Sequence, residues 1–200
     1  MAMGVRSRSV TFASDVITLD VRDHVATLTL DNPERRNAMG PKFWEDLPRA
    51  IGAVEDDPAA RCVVIVANGP HFTVGRDLKS MAGGGRVEGE SQAQARLRSY
   101  HDIKRLQRSI TAVADCRLPV IAAVHGYCIG GGIDLIAACD IRLAAADAVF
   151  SVRETKVAIT ADVGTLQRLP QVLTAGHVAE LVYTGKDIDA ARAQIGRAHV

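Results

Sequence analysis

The sequence is poor in aromatic residues, which fill 4% of its 200 positions. A core built from it must be aliphatic, and Ala and Val are abundant. It holds only four cysteines, Cys62, Cys116, Cys128 and Cys139, with no C-x-x-C pair and no zinc-like His spacing. These are expected as small buried thiols in a reducing compartment rather than disulfides. It lacks a charge excess, since the formal net charge is +1, which removes the main reason to expect a nucleic-acid partner. No apolar run approaches the ~20 residues of a membrane span. Met1 to Ser14 has two arginines but no apolar stretch of a secretory signal. It reads as a disordered leader over residues 1–14, and the protein as cytoplasmic. Gly 17 and Pro 7 fall short of a low-complexity composition. No fixed-period repeat and no linker divides the chain, so one domain is expected.

What is present alternates between strand and helix patterns. Val16 to Val21 and Val25 to Leu30 are β-branched, alternating runs around Asp23-His24, the pattern of a hairpin. Pro41 suits a first helical position. Phe43, Leu47, Ile51 and Val54 then share one helix face, and Pro48 inside it predicts a kink. Cys62 to Ala67 and Pro119 to Val124 are continuous apolar runs, expected as strands buried on both faces. Gly83-Gly84-Gly85 reads as a flexible break. The following helix turns Leu97, Tyr100, Ile103, Leu106, Ile110 and Val113 one way, with Arg96, Lys104, Arg105 and Arg108 on a solvated side. Ile141 to Leu143 and Ala148 to Val152 read as strands, and segments near Gly164 and Gly176 as helices. Strands alternating with helices give an α/β class.

Three constellations could carry chemistry. In the first, a strand runs through Gly126-Tyr127-Cys128-Ile129-Gly130-Gly131-Gly132 into a helix. Consecutive glycines at a helix start bare backbone N–H groups and admit a ligand atom closely. A dinucleotide site would need G-x-G-x-x-G; the spacing here is G-x-x-x-G-G-G. The second is the loop His71 to Lys79 after a buried strand, where α/β proteins place sites. The third is a set of acids. Asp134 and Asp162 sit in apolar strings, and Glu154 has Arg153 and Lys156 nearby. Acids in apolar settings are proton donors and acceptors near neutrality, although a helix cap or an ion pair is the plainer use of each.

Taken together, Ala122 to Leu135, Phe72 to Leu78 and Thr165-Leu166-Gln167-Arg168-Leu169-Pro170 resemble the enoyl-CoA hydratase/isomerase (crotonase) superfamily. The resemblance runs from about Val16 to about Gln194. Within the superfamily the likeness is to the Δ3,5-Δ2,4-dienoyl-CoA isomerase branch. Hydratases carry a glutamate straight after the glycine turn, where this chain has Asp134. Glu154 keeps the second acidic position, and Ala161-Asp162-Val163-Gly164-Thr165-Leu166-Gln167 is similar to the branch that uses a third acid.

The resemblance implies an α/β crotonase-like spiral of repeated ββα units with a catalytic core over 15–194. It implies an isomerase of dienoyl-CoA esters in fatty acid metabolism, with enoyl-CoA hydratase, a lyase, as the alternative. A non-catalytic acyl-CoA-binding protein is a further reading, which the acids disfavour. The backbone N–H groups of Arg76 and Gly131 would hold the thioester oxygen as an oxyanion hole. Asp134, Glu154 and Asp162 would be the catalytic acids, with proton transfer resting on Glu154 and Asp162. Substrate contacts are expected from Arg76, Asp77, Leu78, Lys79, Gly130, Gly131 and Gly132. Arg76 stands where the family usually has a smaller or apolar residue, and its side chain could reach a CoA phosphate. No metal and no redox cofactor are implied, since coenzyme A is part of the substrate. The expected partners are an acyl-CoA and, for the full-length form, further copies in a homotrimer or hexamer, with neither nucleic acid nor membrane. The family's C-terminal helical region is missing, so the chain reads as truncated. Ile195-Gly196-Arg197-Ala198-His199-Val200 equals the translation of a common sequencing adapter, ATC GGA AGA GCA CAC GTC TGA, and is expected to be non-native.

Overall fold

Alternating apolar residues and a tight turn build the first hairpin. β1 (Phe12–Ala13) pairs with β2 (Ile17–Arg22), which returns through Asp23-His24 into β3 (Val25–Leu30). Both turn residues take positive φ, 47° and 68°, the two-residue geometry that matches strand twist. Ile17, Leu19 and Val21 face inward with Ala26, Leu28 and Leu30. The computed structural model describes residues 12–82 and 87–195. The expected leader is corrected at its end: Phe12 and Ala13 pair with Leu19 and Thr18. Residues 1–11, the Gly83-Gly84-Gly85 break and the tail from 196 lie outside the described residues.

β4 (Cys62–Ala67), β5 (Val120–Val124) and β7 (Ile141–Ala144) extend the hairpin as parallel strands, giving a six-stranded sheet ordered β1-β2-β3-β4-β5-β7. Burial on both faces does not hold. Val63, Ile65, Val120, Ala122 and Val124 are buried, whereas Val64, Val66, Ile121 and Ala123 on the opposite face are half-buried. A second sheet, ordered β6-β8-β9, joins β6 (Tyr127–Ile129), β8 (Val149–Ser151) and β9 (Ile188–Asp189). The glycine-rich segment thus contains a strand of its own, β6, between β5 and the helix that follows. Thr73 bridges Cys128, so the loop after β4 also borders this sheet. Two successive passes of the chain, β5 with β6 and β7 with β8, contribute first to the large sheet and then to the small one.

α1 (Pro41–Glu55) buries Phe43, Leu47, Ile51 and Val54 as the spacing predicts. Each such side chain contributes roughly 1.5–3 kcal/mol by leaving water. The helix runs through Pro48 as one element. Proline has no N–H to give to the carbonyl four residues earlier, that of Trp44. The hydroxyl of Ser109 donates to that carbonyl instead, at 2.5 Å. Ser109 lies on α3 (Gln92–Ala114), so the repair of one helix pins it to another. α3 starts on a capping box made by Ser91 and Gln94, which the sequence reading missed. Its apolar stripe is only partly inside: Leu106, Ile110 and Val113 are buried, but Leu97 and Tyr100 are 57% and 55% exposed.

Five further α-helices lie in the described residues: α2 (Leu78–Ala82), α4 (Gly131–Ala137), α5 (Thr165–Arg168), α6 (Ala175–Thr184) and, after β9, α7 (Ala190–Ile195). The four cysteines are free thiols, with Cys128 and Cys139 buried. Among the described residues no helix is long and apolar enough to cross a membrane.

Ser109→Ala leaves the buried Trp44 carbonyl without a donor and should lower stability by about 1–3 kcal/mol in urea unfolding. Placed on a Pro48→Ala background, where residue 48 regains its N–H, the same change should cost measurably less. Equal losses in both backgrounds would show that the Ser109 bond does not compensate for the proline.

Candidate active site

Two loops meet where neither has room for a side chain. After β4, Thr73 donates its N–H to Tyr127 O (2.9 Å) and accepts from Ile129 N–H (3.2 Å). Its hydroxyl donates to Asn37 O at 2.6 Å and accepts from Gly75 N–H at 3.1 Å. Gly75 has φ +81°, and a Cβ there would lie 2.5 Å from Ile129 O and 3.0 Å from Gly131 N. Across from it Gly130 also has positive φ and ties its N–H to Ser151 O on β8 at 2.9 Å. A Cβ on Gly131 would come within 2.9 Å of Met39 Sδ and 3.5 Å of Arg76 N, and one on Gly132 within 2.6 Å of Thr73 Cγ2. The glycine triplet therefore serves close backbone approach. The approach brings the N–H groups of Arg76 and Gly131 near each other. Among the described residues neither donates a hydrogen bond. Two uncommitted donors side by side can hold one negatively charged oxygen.

The three acids converge beside this pair. Asp134, on α4, is 2% exposed. Its Oδ1 accepts from the backbone N–H and the hydroxyl of Thr165, the first residue of α5, at 2.5 and 2.8 Å. The plainer use of this acid, holding a helix start, is thus realised. Burial nonetheless pushes Asp134 up to about 7, with the charges of Glu154 and Asp162 adding to the rise and Thr165 opposing it. Glu154 follows β8 and opens a short 3-10 turn, Glu154–Val157. It is 8% exposed, so a surface ion pair with Arg153 or Lys156 is not its role; Arg153 pairs with Asp187. Its Oε1 lies 3.5 Å from where a Gly130 Cβ would stand, and its Oε2 is buried without a hydrogen-bond partner. Burial, then the nearby Asp162 charge, raises Glu154 above the ordinary carboxylate range. Asp162 is half-buried in the loop before Gly164, whose φ is +148°. Gln107 of α3 holds the Asp162 carbonyl at 2.6 Å.

Asp162 and Arg76 border a cavity of about 360 Å³ between α3 and the loop at Ile159. Met81, Ile103 and Ile159 give it apolar walls, and Asp102 and Arg98 add charge. Burial lowers the pKa of the Arg76 guanidinium, opposed by the charges of Asp162 and then Asp102. The Asp77 carboxylate is buried, bound to Arg35 at 3.0 Å and to Lys79 N–H at 3.1 Å, where it caps α2 and lines no part of this cavity. Leu78 and Lys79 are exposed and also lie off the cavity wall. A larger apolar groove of about 590 Å³, lined by Ile133, Ile136, Phe150, Leu169 and Leu181, carries none of the three acids. Thr165, Met39 and Asp102 were missed from the sequence. Only Thr165 left a trace there, as a hydroxyl residue after a glycine at a helix start. Arg105, expected on a solvated face, is half-buried and reaches Asp102 at 3.8 Å.

Residues 20–196 match the family described as Enoyl-CoA hydratase/isomerase. A mitochondrial Δ(3,5)-Δ(2,4)-dienoyl-CoA isomerase of Dictyostelium discoideum is 42% identical over 85% of this chain and 58% of its own length. A peroxisomal protein of the same name from Arabidopsis thaliana is 38% identical over 90% of this chain and 66% of its own. The chain thus spans less than two thirds of the length of these relatives. A crystal structure from Thermobifida fusca, assigned as an enoyl-CoA hydratase in complex with acetoacetyl-CoA, superposes with a TM-score of 0.78. It is 34% identical and covers 92% of this chain and 71% of its own. The fold is therefore that of the crotonases, as the sequence resemblance implied.

Between pH 3.8, the ordinary value for an aspartate, and about 7, folded Asp134 keeps a proton that the unfolded chain has released. Stability from this group is therefore full at low pH and falls as pH rises through 7, by up to about 1.4 kcal/mol per unit. Asp134→Asn keeps an acceptor for Thr165 and removes that slope. Urea unfolding at about pH 5 and about pH 8 should show the variant gaining on the parent at the higher pH; a constant difference would mean that Asp134 stays charged.

Proposed function

The chain belongs to the enoyl-CoA hydratase/isomerase family, and from that premise we propose that it moves the double bonds of a dienoyl-CoA by proton transfer between carboxylates. The observation that carries this reading is the meeting of two free N–H groups with three clustered acids. The thioester oxygen lies between the N–H groups of Arg76 and Gly131. They stabilise the negative charge that develops there when a proton leaves the acyl chain. One such donor is typically worth ~3–4 kcal/mol in a transition state.

The proton balance follows from the bonds. Going from a 3,5-diene to a 2,4-diene, a carboxylate takes a proton from C2, and the electron pair extends through the conjugated chain to the thioester oxygen. A carboxylic acid then delivers a proton at C6, and no net proton is gained or lost. Two acids at different points along an extended chain suit this task, and Glu154 and Asp162 are assigned to it. Burial raises Glu154 above the ordinary carboxylate range, which favours its protonated form relative to an exposed glutamate. Asp134, bound to Thr165 and pushed up by burial, is the third acid beside them. Its engagement with Thr165 disfavours hydration, in which two acids would share a water. The transfer calls on no metal and no redox cofactor.

The relatives' names extend this reading. Acyl-CoA binding is supported by the Thermobifida fusca complex with acetoacetyl-CoA. Assembly of the full-length form as a homotrimer or hexamer remains our expectation from the family. The expected cytoplasmic location does not follow the relatives, which are named as mitochondrial and peroxisomal proteins.

A diene conjugated to a thioester absorbs differently from an unconjugated one, so turnover of a 3,5-dienoyl-CoA can be followed in the ultraviolet. Glu154→Gln and Asp162→Asn should each lower the rate by about 10²–10⁴. Hydration of a 2-enoyl-CoA without any diene shift would overturn the isomerase assignment.

A further inference from the structure

The three acids are not held alike. Asp134, on α4, is bound by the N–H and the hydroxyl of Thr165. Glu154 opens a short turn, and its carbonyl accepts from Ile159 N–H at 3.1 Å. Asp162 lies between that turn and α5, on the segment Thr160 to Val163. Ala161 and Val163 on either side of it are buried in the core. Apolar contact of that kind holds a segment down, but it is non-directional and leaves the peptide planes free to turn. Among the described residues a single hydrogen bond reaches Thr160, Ala161, Asp162 or Val163, and it comes from another element. The Gln107 side chain on α3 donates from Nε2 to the Asp162 carbonyl at 2.6 Å.

The residue after this segment is a swivel. Gly164 has φ +148°, a conformation that glycine enters far more readily than any other residue. Beyond it the chain is firmly placed. Thr165 is bound to Asp134, and Arg168 donates to Thr111 Oγ1 of α3 at 3.0 Å. Those bonds fix α5. They do not fix the Asp162 peptide, because rotation at Gly164 uncouples the two. Gln107 supplies the missing restraint. It stands four residues before Thr111 on one face of α3. One turn earlier, Asp102 and Ile103 of the same helix wall the cavity that Asp162 borders. One helix therefore carries both a wall of the cavity and the tether of an acid at its edge.

We propose that Gln107 is a positioning residue. By tying the Asp162 peptide to α3 it sets where the Asp162 carboxylate stands in the cavity, and so the distance over which that acid exchanges a proton with the acyl chain. The tether stands on the geometry alone. Its effect on rate rests on the isomerase reading above, in which Asp162 is one of the two working acids. Gln107 is neutral and acts through distance; a displacement of about 1 Å in a reacting group can cost on the order of 10²-fold in rate.

The test uses the full chain and two variants that remove the donor but keep the length of the side chain, Gln107→Met and Gln107→Glu. Both residues are good helix formers, so α3 should be retained. 15N relaxation should show the amides of residues 160–163 more mobile than in the parent, and those of residues 165–168 unchanged. In turnover of a 3,5-dienoyl-CoA, kcat should fall about 10–10²-fold in both variants, with KM changed less than about twofold. Gln107→Lys, which restores a donor, should recover most of the rate. On an Asp162→Asn background Gln107→Met should cost less than about twofold more, because the acid that it places is gone. Amides that stay as ordered in both variants as in the parent overturn the tether. Loosened amides with an unchanged kcat, or an equal loss of rate in both backgrounds, overturn the positioning role. So does a rise in KM with kcat unmoved, which would make Gln107 a substrate contact. A parent protein that turns over no dienoyl-CoA sinks the isomerase reading instead, while the relaxation comparison still decides the tether.

Discussion

The site depends on one steric constraint, the passage of the loop at Gly75-Arg76 against the backbone at Ile129 to Gly131. A single Cβ on Gly75 would stand 2.5 Å from Ile129 O, closer than carbon and oxygen can approach. With the side chain absent, the two segments lock through Thr73, whose N–H and carbonyl bond across the gap while its hydroxyl ties Asn37 to Gly75. Everything chemical follows from that closeness. It leaves two donors without acceptors, it sets Gly130 beside Glu154, and it starts α4 so that Asp134 points at Thr165. The large sheet supplies a stiff base, because β4 and β5 deliver the two segments from adjacent, parallel strands.

Against this frame the acids pose an electrostatic problem. Burying carboxylates together is unfavourable for their charged forms, and like charges within one cluster raise the cost further. The chain meets the difficulty in three ways. Asp134 is given two donors from Thr165, Glu154 is left with one oxygen unpartnered, and Asp162 is kept half-buried on a cavity that Arg76 also borders. Burial raises both Asp134 and Glu154 above the ordinary carboxylate range.

The sequence carried much of this in legible form, for reasons that can be stated residue by residue. The hairpin around Asp23-His24, the buried face of α1 and the strand at Cys62 were readable because periodicity reports local geometry. The acids were visible because charge inside an apolar string is costly and so conspicuous. The rest depends on long-range partners, which leave little local trace. The strand at Tyr127 to Ile129 exists because β8 lies beside it, more than twenty residues later. Asp77 looked like a binding residue from its place in a loop, yet Arg35 and the start of α2 claim it. The exposed Leu97 and Tyr100 share the helical period of their buried neighbours, and period alone does not say where along a helix the cover ends. Val64 and Ile121 show the same limit in strands, where apolar runs say nothing of which face is covered.

The bond from Ser109 to the Trp44 carbonyl has a consequence for how such a chain can change over generations. A proline in a helix is a defect, and the serine on the neighbouring helix is its correction. The two positions are far apart in sequence, but their substitutions do not commute. A lineage that first replaces Pro48 recovers the helix's own hydrogen bond and is then free to vary residue 109. A lineage that first loses Ser109 must pass through a less stable ancestor. Since α3 also forms a wall of the cavity beside Asp162, that order of events reaches the candidate site, and a peculiarity of α1 becomes a restriction on how that cavity can be reshaped.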